Sequence, residues 1–149
     1  MNRRQIIATT SAAGLAAVAA RSAEASSPSS GGEAAPVTAR ITGVSLPVIA
    51  DGRLRNYVFV GLELHLKPGK TAEDVRAKEA WFRDALVRTG HRAPFTLAND
   101  WNRLHEGAIS AAMVAIAGVV MGPDYVERCV VANQSPRQQV ASPAALSFN

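Results

Sequence analysis

From Tyr57 to Lys67 the chain alternates residue by residue. Val58, Val60, Leu62, Leu64 and Leu66 fall on one parity, and Tyr57, Phe59, Gly61, Glu63, His65 and Lys67 on the other. A period of two marks a strand with one buried face. Burying five such side chains is worth on the order of 10 kcal/mol before chain entropy is subtracted. An earlier strand is predicted over Val37–Ile49. There Val37, Ala39 and Ile41 share one parity and Val44, Leu46 and Val48 the other. The switch predicts a bulge or bend at Gly43. Pro47 puts at least part of this strand at a sheet edge, and Asp51-Gly52 signals the turn between the two strands.

Pro68-Gly69 ends the second strand, and a helix is predicted from Thr71. Thr71 and Asp74 form a capping box with Asp in place of the usual Glu. Val75, Phe82, Leu86 and Thr89 share one face, with Ala85 beside them. Asp74–Lys78, Glu79–Arg83 and Asp84–Arg88 are i,i+4 pairs on the solvated side. Gly90 is the expected C-cap, with Pro94 shortly after. A connection over His91–Asn99 leads to a second helix capped by Asn99 or Asp100. Ile109, Met113, Ile116 and Val120 recur at helical spacing, yet Ala108–Met121 contains no charged residue. The segment is shorter than the roughly 20 residues that span a bilayer. Burial on more than one side, within the domain or against another subunit, is therefore expected. Gly122-Pro123 stops the helix, and a last strand is predicted over Tyr125–Gln134. The order β-β-α-α-β implies an α+β fold: a small antiparallel or mixed sheet with two helices packed on one face.

The N-terminus has a different character. Arg3-Arg4 is followed by apolar Ile6 and Ile7 and an alanine-rich stretch to Ala20, and Ala23-Glu24-Ala25 supplies a small-x-small cleavage pattern. Residues 1–25 thus read as a twin-arginine signal peptide cut after Ala25, with Arg3, Arg4, Ala23 and Ala25 as the export signal. Retention as an uncleaved anchor is the alternative, but Ile6–Ala20 is short and mostly alanine and threonine. The expected location is the periplasm, with membrane contact at most peripheral. Residues 26–36 (SSPSSGGEAAP) form a flexible linker by composition. Residues 37–134 form the folded domain, and 135–149 are expected to be a loose tail.

Of the 16 basic and 12 acidic residues, Arg3, Arg4, Arg21 and Glu24 belong to the leader. What remains is nearly balanced and has no basic stripe, which argues against nucleic acid as a partner. A single cysteine, Cys129, precludes an internal disulfide, so the domain depends on packing, alone or with oligomerisation. His65, His91 and His105 lack the spacing of a metal or haem site, and no cofactor is expected. A Cys129–His nucleophile pair could arise only through tertiary proximity; a small hydrophobe in a half-buried strand is the ordinary role of such a cysteine. No glycine-rich phosphate loop and no G-x-S-x-G is present. Trp81, Trp101 and Met113 are the candidate interaction surface, with core or helix contacts the commoner role for the two tryptophans.

One family shares these features. The strand YVFVGLELHL (Tyr57–Leu66), the helix segment Phe82-Arg83-Asp84-Ala85-Leu86-Val87, the leucine-bearing start Asn102-Arg103-Leu104 and the valine-rich strand ending at Gln134 resemble the extracytoplasmic domain of the flagellar basal-body-associated FliL family. The resemblance spans Tyr57 to Gln134. It implies a stomatin-type fold that assembles with copies of itself near the flagellar stator and acts by contact, not catalysis. Members of that family keep a transmembrane anchor, where this chain has a leader that reads as cleavable. The resulting expectation is a non-enzymatic, exported interaction protein whose partners are other copies or flagellar motor components. The alternative is a small periplasmic ligand- or cofactor-binding domain exported folded.

Overall fold

The computed structural model describes residues 35–143. The export residues Arg3, Arg4, Ala23 and Ala25, most of the linker, and residues 144–149 lie outside the described residues. The elements run β1 (Thr38–Ala50), β2 (Arg53–Leu66), α1 (Ala72–Ala77), α2 (Glu79–Arg92), α3 (Glu106–Val120) and β3 (Val126–Pro136). The three strands form an antiparallel sheet in the order β1-β2-β3, and the helices pack on one of its faces. The α+β class follows directly.

The period-two row of β2 is the centre of the core: Val58, Val60, Leu62, Leu64 and Leu66 are all buried. β1 contributes Ala39, Ile41, Val44, Leu46 and Val48 from its edge position. Its parity changes where the register slips between Ile41 and Val44, with Gly43 at φ 68°. That left-handed conformation suits glycine, and the slip frees carbonyls from the ladder. Arg83 of α2 reaches across to donate to Thr42 O and, at 3.3 Å, to Gly43 O. Asp51 and Gly52, both at positive φ, make the two-residue turn that sets Ala50 opposite Arg53.

The predicted first helix is two helices. The Thr71 hydroxyl accepts from Asp74 N, as a cap should. Asp74 is a methylene shorter than the usual Glu and does not complete the box by itself. Tyr125 intervenes: its hydroxyl accepts from Thr71 N at 3.3 Å and donates to Asp74 Oδ2 at 2.6 Å. That bond, with the Thr71 cap behind it, holds the Asp74 carboxyl below its ordinary range, so its contribution to stability is present near neutrality and lost as pH falls through that lowered value. Burial and Asp74 together raise the Tyr125 hydroxyl. Lys78 leaves the helical region, with φ −110° and ψ 12°. α1 thereby follows the Tyr125 clasp and Val75, while α2 follows Phe82 and Leu86 into the core. The Asp74–Lys78 pair is not formed; Lys78 Nζ donates instead to Val120 O. Glu79–Arg83 and Asp84–Arg88 are formed.

Three further expectations are corrected. Gly90 is not a C-cap: α2 runs through it to Arg92, and Gly90 is buried against Leu46, Pro47 and Phe95. α3 is capped not by Asn99 or Asp100 but by the His105 ring, which accepts from Ala108 N at 3.0 Å. Asp100 instead accepts from Asn102 N in a local turn. The segment after Gln134 is not loose through its described length. β3 continues to Pro136, Asn102 exchanges two hydrogen bonds with the backbone of Val140, and Trp101 N donates to Ser142 Oγ. Buried Asn56 donates to both Trp101 O and Gln138 O. These are pairings between residues distant in the chain, which local pattern does not reveal.

Substituting Leu64→Ala is expected to lower unfolding free energy by about 2–5 kcal/mol. Phe59→Ala, on the uncovered sheet face, should cost about 1 kcal/mol or less. Chemical denaturation of the two variants checks this, and equal costs would contradict the one-sided core.

Candidate interaction surface

The side chains with chemical potential lie on separate elements, each with a structural partner. His65, on the uncovered face of β2, has Nε2 3.6 Å from Glu63 Oε1, and Arg128 donates to its Nδ1 at 3.4 Å. His91 Nδ1 sits 2.9 Å from Val87 O in the last turn of α2, and His105 caps α3. Cys129 faces the core, and its thiol makes one long contact, to Val130 O at 3.9 Å. Burial pushes that thiol up to about 12, so it stays protonated where a nucleophilic cysteine must ionise. Among the described residues no group of three or more His, Cys, Asp or Glu is placed to hold a metal ion, and no helix there is long and apolar enough to cross a membrane.

The feature that stands out is on the outside of the helical layer. α2 and α3 run antiparallel, so that Lys78 and Trp81 meet Val119 and Val120 at one end. Between the helices lies a groove of about 550 Å³. Its α2 wall is Trp81, Asp84, Ala85, Arg88, Thr89 and Arg92, spaced as one helical stripe. Its α3 wall is Ala112, Ala115, Ile116, Val119 and Val120, again one stripe. Trp81 is 67% exposed and Val119 87% exposed. Such neighbouring large apolar side chains on a surface mark a contact site more often than single ones do.

The charges are uneven. Asp84 is held by Arg88. Lys78 and Arg92 form no ion pair among the described residues. Lys78 lies at the Trp81 end and Arg92 at the other, so cations bracket the apolar floor.

Of the three residues predicted for an interaction surface, Trp81 alone belongs to this groove. Met113 is fully buried beneath it, because Ile109, Met113 and Ala117 form the inward stripe of α3. Trp101 is half-buried, its backbone tied to Ser142 and Asn56 and its ring under the Arg55 guanidinium at 4.8 Å. Of the two expected ways for α3 to be buried on more than one side, within the domain or against another subunit, the first is not met: within the described residues one stripe is buried, and Ala111, Ala115 and Val119 are exposed. Val119, Ala115 and Arg92 were not singled out from sequence, and Arg88 was named only for its pair with Asp84. For Val119 and Ala115 the signal was present in the charge-free stretch Ala108–Met121, which holds more apolar residues than a single buried stripe uses.

In comparison with known proteins, no family model, no curated protein and no solved structure matches the chain.

Cys129 is expected to react with iodoacetamide at pH 8 to less than about a tenth of the extent seen in denaturant over the same time, because the native thiol stays protonated and covered. Intact mass spectrometry reads this. Rapid stoichiometric labelling of the folded protein would show an accessible, ionisable cysteine.

Proposed function

We propose that this is an exported, non-enzymatic interaction domain that acts by contact, with the groove between α2 and α3 as its contact face. The observation that carries the reading is the adjacency of Trp81 and Val119, two large apolar side chains left in water on an otherwise one-sided helical layer. Covering them recovers apolar area at about 25 cal/mol per Å², a gain the isolated domain does not make. The proposal of export to the periplasm rests on Arg3-Arg4, the alanine-rich stretch and Ala23-Glu24-Ala25. A link to the flagellar basal body or stator rests on the FliL resemblance of residues 57–134.

A second reading is favoured by one observation. The groove volume falls within the roughly 300–1,000 Å³ of small-molecule sites, as a periplasmic ligand- or cofactor-binding domain exported folded would require. Metal analysis and an absorbance spectrum of protein purified from the periplasm separate the two readings. A stoichiometric metal or chromophore would favour the second.

Two outcomes are expected. Replacing Arg3 and Arg4 together by Lys should leave the precursor in the cytoplasm, because an ammonium does not reproduce the guanidinium fork; cell fractionation reads this, and undiminished export would remove the twin-arginine route. In a host deleted for the gene, wild type should restore the lost phenotype and Val119→Asp should not, although the variant folds. Swimming tests the flagellar link, and full complementation by Val119→Asp would end the contact-face reading.

A further inference from the structure

The chemistry of the groove also defines its occupant. Resting on the contact-face reading above, we infer that the α2–α3 groove receives an amphipathic helix of another protein, apolar along one side and acidic along its flanks. Three observations converge on this.

The first is shape. Ala85, Ala112 and Ala115 leave the floor between the two antiparallel helices low, and Trp81 and Val119 rise at one end. Low side chains let a third helix approach to the 8–10 Å typical of helix packing. The second is length. From Trp81 to Arg92 the α2 wall runs roughly 16 Å at 1.5 Å per residue, the rise of three helical turns. Three turns present apolar anchors at i, i+3, i+4 and i+7, the pattern of helix-in-groove recognition.

The third is charge, and it selects among occupants. Lys78 and Arg92 border the floor without an ion pair among the described residues, while Arg88 and Asp84 neutralise each other. Two copies meeting face to face on a two-fold axis would bring these two cations against the same two, a like-charge juxtaposition that opposes association. The chain's own apolar stretch Ile6–Ala20 is flanked by Arg3, Arg4 and Arg21 and is disfavoured for the same reason. An acidic-flanked helix meets both the apolar floor and the cations at its ends.

The test uses the full chain and two synthetic three-turn peptides with leucines at i, i+3, i+4 and i+7. One carries Glu on its flanks and the other carries Lys at the same positions. Fluorescence anisotropy of the labelled Glu peptide is expected to show binding at least about tenfold tighter than the Lys peptide, weakening as salt rises. Val119→Asp should abolish that binding, with circular dichroism showing the fold intact; Arg92→Glu should reverse or erase the preference between peptides. Equal affinity for the two peptides, or no binding of either, overturns the inference. So does a dimer in sedimentation that Val119→Asp dissociates, which would assign the groove to a second copy. Binding seen only after removal of residues 1–25 would assign it to the chain's own leader. If the peptide result fails while Val119→Asp still fails to complement the deletion, the contact face stands and only the partner's chemistry is wrong. If Val119→Asp complements, the contact face itself falls.

Discussion

Val58, Val60, Leu62, Leu64 and Leu66 leave water only because helices cover one side of the sheet that β2 centres. That requirement organises the other elements. β1 changes parity at Gly43 so that its aliphatics remain on the covered side, and the carbonyls loosened there are taken up by Arg83. Gly90 sits where α2 lies against Leu46 and Pro47. Tyr125, one residue before β3, fixes the start of α1 through Thr71 and Asp74. Each polar device serves the same two-layer closure.

A two-layer domain of this size has limited area to hide. The three strands need one stripe from each long helix, supplied by Phe82 and Leu86 on α2 and by Ile109, Met113 and Ala117 on α3. α3 is nonetheless apolar far beyond that stripe. The excess emerges beside Trp81 as the groove, while the uncovered face of the sheet carries Arg40, Glu63, His65 and Arg128.

The strands were legible because their period is local: the β2 row, the switch at Gly43 and the Asp51-Gly52 turn each occupy a few consecutive residues. Helix ends were harder. Asn99, Asp100 and Gly90 have the right residue types for caps, but tertiary contacts decide where α2 and α3 stop, and a histidine ring serves where Asn or Asp was expected. The break at Lys78 carries no Pro or Gly to announce it, and the Lys78 ammonium is held by Val120 O, distant in the chain. Met113 illustrates the limit for the site itself. Helical spacing placed it on a face, but only the position of α3 over β3 determined that this face points inward while Val119, six residues on and about 120° round the helix, points out. The order of residues 137–143 was invisible for the same reason, since Asn56 and Asn102 act on segments far from themselves.

The pairing of Leu66 with Val126 has a consequence for how the molecule comes into being. The β1–β2 pairing joins neighbours in the chain, whereas the other edge of β2 is filled by a strand that three helices separate from it. Closing so distant a contact is entropically slow, and the aliphatic row remains partly uncovered until it happens. This domain therefore acquires its native shape only once β3 has been made, and any chaperone that shields the β1–β2 hairpin would act in the interval before it.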